Sequence, residues 1–402
     1  MRKELFYFNA LFDLSMNGSV RASMKRVADE MTALIIPMGS SDDFCIVKSK
    51  FPKDYPSFLE DSGLTLPNLV NVNEHLGSGV TAHPWGWNEE AKKTFETMGV
   101  DTIHPDFHIV KQINSREYCH QFSFTENSGV PGSALLSSAS DINNFFADNP
   151  PFPIVIKPAH GSSGFGFIRV DEPPDKTVIN KILQMMTNGI VIAESWLNRI
   201  MDISSSVDIY ADGTFSAIRH YRCFVDSRGT FFGVYLSPDN SQLNRCTPRL
   251  DNHVKVCAER IYKNGYFGSA GFDSFVYLQK DGLEALAPII EINARHVMSD
   301  IARSLKSKLA YASINTAAPD KHVFYRLLSS KRAKLPEKYS ELKSIFGENL
   351  FSANTKNGIL PLTPLRNTTD ITRQPYRNAF FISADSEREL FELDTFLTKA
   401  LA

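Results

Sequence analysis

The sequence predicts an α/β protein with α+β elements: a small α/β unit over residues 1–105, a core over 106–310 and a C-terminal lobe over 311–402. Three observations carry this. Over the first unit, short apolar runs alternate with polar, helix-compatible stretches, the pattern of βα units. In the core, two strand–turn–strand signals carry charged or amide side chains at strand ends. Ahead of both, Asn149-Pro150-Pro151 is a Pro-rich break that opens a central subdomain over about 150–198.

In the first unit, Leu34-Ile35-Ile36, Phe44-Cys45-Ile46-Val47 and Leu69-Val70-Asn71-Val72 read as strands. Asn88 is a good N-cap for a helix from Glu89 to Met98, with Gly99 as its stop. Pro84-Trp85-Gly86-Trp87 precedes that cap; packing against the next unit is favoured over a substrate role. Asn114-Ser115-Arg116 opens a helix through His120 and Phe122, and Ser140 to Phe146 forms a short helix.

Phe152 to Pro158 is a buried strand with Lys157 at its end. The stretch His160-Gly161-Ser162-Ser163-Gly164-Phe165-Gly166 follows, then a strand from Phe167 to Val170. Glycines and serines let backbone N–H groups approach anionic oxygens, the need of a phosphate-cradling loop. A plain Gly/Ser hairpin is the alternative, and a lysine at the strand end weighs against it. Thr177–Asn188 is an amphipathic helix, and the strand Ile190 to Ala193 ends in Glu194-Ser195-Trp196-Leu197. Val207 to Tyr210 and Phe215 to Ile218 frame a hairpin, followed by the cationic cluster Arg219-His220-Tyr221-Arg222. That cluster is either a charged edge strand or a phosphate contact. Thr230 to Tyr235 is a strand and Asp251–Lys263 a helix.

The most informative stretch is Pro288 to His296. A buried strand ends on polar residues, and alternation puts Glu291 and Asn293 on one side with Ile292 on the other. Arg295 continues that face by one step. Ala270 to Tyr277 offers a partner strand carrying Asp273, joined through the turn Lys280-Asp281-Gly282. Asp273, Glu291 and Asn293 form an all-oxygen set suited to Mg²⁺, which prefers one or two carboxylates plus substrate phosphates. An ordinary hairpin with solvated polar ends is the alternative. Beyond it, Asp320–Arg332 reads as a helix, Gly358 to Pro364 as an extended segment, and Ser383 precedes a final helix from Ser386 to Leu401.

A lysine-ended strand, a Gly/Ser loop, a strand-terminal glutamate, then Asp and Glu-x-Asn, in that order, resemble the ATP-grasp superfamily over about residues 105–310. The preceding unit resembles that family's usual N-terminal domain. Glu291-Ile292-Asn293-Ala294-Arg295 is similar to the Glu-x-Asn-x-Arg signature of its carboxylate-activating members. The resemblance implies an ATP-grasp fold with a pre-ATP-grasp domain and two α+β subdomains gripping ATP. It implies that Lys157 contacts the α- and β-phosphates and that His160 to Gly166, with Gly161, Ser162, Ser163 and Gly164, forms a lid. Glu194, Ser195, Trp196 and Leu197 would be the adenine hinge, and Asp202 would meet the ribose. Asp273, Glu291 and Asn293 would hold two Mg²⁺ ions, with Mn²⁺ as a substitute. Arg295 would steady an acyl-phosphate, with Lys157 and Arg222 as further catalytic cations. The family's first phosphate-binding lysine has no clear counterpart; Arg116 stands in that segment, with Lys111 as a rival.

The activity so implied is an ATP-dependent carboxylate–amine ligase that forms an amide or peptide bond and releases ADP and phosphate. Amino acids or small peptides would be its acid and amine. An ATP-grasp phosphotransferase or carboxylase, or a non-catalytic nucleotide-binding protein, are the alternatives. Net charge of −2 argues against a general nucleic-acid or anionic-membrane partner. Five scattered cysteines without a C-x-x-C pair read as reduced thiols, and the N-terminus lacks the apolar run of a leader, so a cytoplasmic protein is expected. A homodimer is left open.

Overall fold

The computed structural model describes residues 3–16, 22–48, 51–161, 166–227, 229–239, 241–310, 320–331, 333–366 and 374–402. Three sheets organise them. The first is parallel, in the order β3-β2-β1-β4, from β1 (Lys3–Tyr7), β2 (Phe44–Ile46), β3 (Asn68–Val70) and β4 (Val80–Pro84). Helical segments connect β1 to β2 and β2 to β3, while the connection to β4, residues 71–79, holds no helix. The second is antiparallel, in the order β5-β8-β6-β7, from β5 (Ala134–Leu136), β6 (Ile154–Pro158), β7 (Ile168–Val170) and β8 (Val191–Ser195). It has its own small core around Ile142, Ile156, Ile182 and Ala193.

The third sheet is antiparallel and has eight strands: β9 (Asn198–Ile209), β10 (Arg219–Val225), β11 (Phe231–Leu236), β12 (Gly268–Leu278), β13 (Glu284–Asn293), β14 (His322–Ser329), β15 (Gly358–Pro361) and β16 (Arg377–Ala384). Their order is β13-β12-β9-β10-β11-β14-β16-β15, so residues beyond 320 continue the same sheet. Its main core also runs into the first unit: the Tyr55 hydroxyl donates to the Leu362 carbonyl at 2.6 Å, and Phe58 stacks on Tyr339. Among the described residues no helix is long and apolar enough to cross a membrane, and all five cysteines are free.

Several expected elements stand as read. Asn88 caps the helix Glu89–Thr97 by accepting from Ala91 N at 2.9 Å, and the turn at Gly282 takes φ of +82°. Others change. Leu34-Ile35-Ile36 lies in a 3₁₀ helix, Thr32–Met38, not a strand. Residues 32–37 are all buried without alternation, and Pro37 has no N–H for a ladder. The expected helix Asp320–Arg332 is the strand β14, with Arg332 outside the described residues. Val323, Phe324 and Tyr325 are β-formers buried between β11 and β16, and Arg326 reaches Asp394 at 3.0 Å instead of solvent. Phe215 to Ile218 is connection, held by one bridge from Phe215 to Ile209, and Arg219 to Arg222 belong to β10, an interior strand. Ser386 itself caps the last helix, Glu387–Ala400, while Ser383 lies in β16. The central strand β1 had no sequence signal beyond its five residues.

Candidate active site

The small sheet and the end of the large one face each other across a cleft of about 240 Å³. In the small sheet, Val155 lies opposite Glu194 and Lys157 opposite Ile192. Residues two apart share a strand face, so Lys157 is the diagonal neighbour of Glu194, and the two form a close ion pair.

Across the cleft, the β12–β13 register sets Asp273 opposite Glu291 and Gly271 opposite Asn293. The three polar side chains therefore share one face, while Ile292 is buried behind them. Asn293 Nδ2 donates to Asp273 Oδ2 at 3.2 Å, which leaves the amide oxygen available. Burial, and the Glu291 carboxylate opposite, push Asp273 up to about 7. The strand tolerates Pro288 because β13 is an edge strand and the ladder bulges between Asp273 and Phe275.

Arg116 joins the two walls. It opens the helix Arg116–Thr125, whose N-cap Ser115 accepts from Tyr118 N. Its Nη2 donates to Glu291 Oε1 and its Nη1 to the Pro158 carbonyl, both at 2.9 Å. A Cβ on Gly161 would lie 2.6 Å from Arg116 Nη1, so glycine lets the guanidinium cross the chain there. Lys111 is exposed on the preceding helix and does not line the cleft. Burial, with Lys111 and Arg116 nearby, holds the His160 imidazole below its usual range. Ser162, Ser163 and Gly164 lie outside the described residues.

At the other end Trp196, Arg199 and Asp202 line the cleft. The Trp196 N–H donates to the Pro153 carbonyl at 2.8 Å, so the expected adenine-reading hinge, Glu194 to Leu197, has that donor already engaged. Asp202 pairs with Arg199 at 3.1 Å; burial pushes its carboxyl up and Arg199 offsets part of the rise. Arg222 turns away from the carboxylates, to Gln242 at 2.6 Å, and lines an adjoining lobe of about 550 Å³ with Asp202.

Arg295 lines the cleft, though not by alternation, because β13 ends at Asn293. The Ala294 N–H donates to Asn114 Oδ1 at 2.9 Å and turns the chain. Arg295 Nε then donates to Asp13 Oδ1 at 2.8 Å, and its Nη1 to the His296 carbonyl at 2.9 Å. A Cβ on Gly271 would sit 2.2 Å from Val297 Cγ1, so only glycine lets this segment fold back over β12. Burial lowers the Arg295 guanidinium, and Asp13 more than restores it. The sequence reading missed Asp13, Asn114 and Arg199; only Asn114 had a visible signal, as part of a helix cap.

No family profile and no curated protein matches the chain. Solved structures do. Biotin carboxylase from Campylobacter jejuni, in a complex with an ATP analogue, aligns over 100% of this chain and 91% of its own, at 12% identity and TM-score 0.55. N5-carboxyaminoimidazole synthetase from Staphylococcus aureus aligns over 98% and 97%, at 11% identity and TM-score 0.54. Carboxyaminoimidazole ribonucleotide synthase from Aspergillus clavatus, complexed with ATP, aligns over 99% and 98%, at 12% identity and TM-score 0.52. These likenesses span the chain from end to end, and the chain has the ATP-grasp fold.

Proposed function

We propose that the protein is an ATP-dependent ligase that activates a carboxylate as an acyl-phosphate and joins it to an amine. The observation that carries this reading is the facing of two charge sets across one cleft: Lys157 and Arg116 against Asp273 and Glu291. Cations suit a triphosphate, and paired carboxylates suit the metal that accompanies it.

The donor set fits Mg²⁺. Among the described residues no three His, Cys, Asp or Glu side chains gather, so the site rests on two carboxylates and the Asn293 oxygen. Mg²⁺ favours such a small protein share, completed by phosphate oxygens and water. Asp273, raised by burial and by Glu291, gains most from a cation. A bound Mg²⁺ supplies neutralisation of charge on the transferred phosphoryl oxygens.

The residues then divide the work. Arg116 and Lys157 are held by Glu291 and Glu194, and on nucleotide binding they exchange these carboxylates for phosphate oxygens. An oxygen of the substrate carboxylate attacks the γ-phosphorus, and the bond to the β,γ-bridging oxygen breaks as ADP leaves. The amine nitrogen attacks the acyl carbon, phosphate departs, and the nitrogen loses its proton. Arg295, fixed by Asp13, holds oxygens of the acyl-phosphate. A second reading takes bicarbonate as the acid, favoured by the carboxylase among the structural neighbours.

The test is ADP release by the purified protein with ATP, Mg²⁺ and a pool of carboxylic and amino acids, with mass detection of the product. ADP and an amide are expected. ADP that depends only on bicarbonate selects the second reading, and nucleotide binding without turnover refutes both.

A further inference from the structure

A second cavity, of about 380 Å³, opens between β4 and the β9–β12 end of the large sheet, and Arg295 lines both it and the ATP cleft. Its floor carries a closed ring of six side chains. Ser269 Oγ donates to Asp208 Oδ1 at 2.7 Å, and Arg219 Nη2 to Asp208 Oδ2 at 2.9 Å. Arg219 Nε reaches Ser206 Oγ at 3.4 Å, and Ser206 donates to Asp300 Oδ1 at 3.0 Å. His296 closes the ring, with Nδ1 3.5 Å from Asp300 Oδ2 and Nε2 3.5 Å from Ser269 Oγ. Strand register builds it: Asp208 lies opposite Ser269, and Ser206 opposite Arg219.

The partners assign the proton positions. Carboxylate oxygens only accept, so the imidazole hydrogen belongs on Nδ1, toward Asp300. Ser269 has one hydrogen, and Asp208 takes it. Nε2 is left with a lone pair that no donor among the described residues fills. Two carboxylates and one guanidinium give the ring one negative charge, which a proton on His296 balances. Burial raises both carboxyls; Ser269, Arg219 and His296 outweigh it at Asp208, and His296 with the Val297 N–H outweighs it at Asp300. Other charges facing the cavity are Arg295, held by Asp13, and His83, paired with Glu4. Arg303, on the helix Met298–Leu305, is exposed and makes no hydrogen bond or ion pair among the described residues. Tyr210 and Tyr266 add the remaining titratable groups.

We infer that His296 is the general base of the joining step, accepting a proton from the amine at Nε2, and that Asp300, Asp208 and Arg219 position it and balance its charge. This rests on the ligase reading above. An amine enters mostly as ammonium, with no lone pair to attack. Nε2 takes one proton, the freed nitrogen forms the C–N bond, and the acyl C–O bond breaks with its electron pair on the phosphate. The nitrogen's second proton leaves with that phosphate, and His296 returns the first to water. An imidazole backed by a carboxylate is suited to this work.

Hydroxylamine separates the roles, because it is unprotonated at neutral pH and attacks an acyl-phosphate without a base. The full chain with ATP, Mg²⁺ and the pool of carboxylic and amino acids is assayed with and without it, for amide, hydroxamate and ADP. His296→Gln should lose amide formation by about a hundredfold or more and keep hydroxamate formation within a few-fold. Asp208→Asn should move the acid limb of the amide pH profile to lower pH by about one unit, since it withdraws a charge that favours the imidazolium. An amide rate that His296→Gln leaves unchanged, beside hydroxamate from the wild type, overturns the inference and keeps the ligase reading. If His296→Gln loses both products, Asp208→Asn decides, and an unmoved limb overturns the inference. Neither product from the wild type refutes the ligase reading, and the base with it.

Discussion

Asp273 and Asp208 stand on neighbouring strands of one sheet, yet their surroundings shift them in opposite directions. Asp208 pairs in register with Ser269 on β12, and Asp273 lies four positions further along that strand. Even spacing puts both on one face, on the order of 13 Å apart. Asp273 faces Glu291 with a single amide donor, and burial and repulsion together raise it to about 7. Asp208 is half-buried, and a hydroxyl and a guanidinium hold it below its usual range despite that burial. The first carboxylate has one amide donor and a second carboxylate opposite; the second has a hydroxyl and a guanidinium donating to it. The same contrast extends to the cations: Arg116 and Lys157 are tied to protein carboxylates, whereas Arg303 stands open. On the proposed reading, nucleotide binding exchanges the Arg116–Glu291 and Lys157–Glu194 pairs for phosphate contacts.

Glu291→Ala should have the largest effect. It removes half of the carboxylate pair and releases Arg116. Turnover should fall by about a thousandfold or more, the upper range for one electrostatic group, with the fold retained. Mg²⁺-dependent nucleotide binding should fail with it; binding that persists would break the pairing of Glu291 with Asp273.

Arg295→Lys comes next. Lysine can keep one of the contacts to Asp13 and the His296 carbonyl, but not the planar pair. Amide formation should drop about a hundredfold, as for one lost oxyanion donor, with nucleotide affinity within a few-fold. If Arg295 merely ties β1's unit to the sheet, Asp13→Asn and Arg295→Lys will instead lower the melting temperature equally and weaken nucleotide alike.

The pH dependence separates the two carboxylates directly. Asp273 has a folded pKa raised above its unfolded value, so its stabilising share is full below about 4 and is lost as pH rises through about 7. Asp208 is depressed, so its share is present at neutral pH and is lost in acid. Thermal melts without metal should decline by a few degrees between about pH 4 and 7, and Mg²⁺ with ATP should abolish the decline. Asp273→Asn should remove the slope; a slope that survives it belongs to another group.

The sequence made one side of each site legible and hid the other. Glu291 and Asn293 are two apart on one strand, so period-2 alternation alone puts them together. Lys157 and Glu194 were visible as strand ends, but their pairing depends on the β6–β8 register, which no local pattern encodes. Arg295 was read from alternation that stops two residues earlier, because Asn114, from a distant cap, turns the chain at Ala294. Asp208 and Arg303 carried no motif: one gains meaning from Ser269 across a ladder, the other from an open cavity. Thr32–Met38 and β14 were misread where most residues are buried and no period shows. Phe215 to Ile218, half-exposed, carried a hairpin signal that the fold uses only as a connection.

The smallest expected effect sharpens the role of Arg116. Gly161→Ala puts a methyl 2.6 Å from Arg116 Nη1, too close to stand without movement. In a free side chain the far end would swing aside at little cost. Here Nη1 is also bound to Pro158 and Nη2 to Glu291, so the shift strains both contacts. Nucleotide affinity should fall several-fold, about 1 kcal/mol, with the melting temperature unchanged within a degree or two. The same substitution in an Arg116→Ala background should then be silent, since the guanidinium it displaces is gone. A full effect in that background would mean that Gly161 acts on the nucleotide itself, and the link from loop to carboxylate pair through Arg116 would fall.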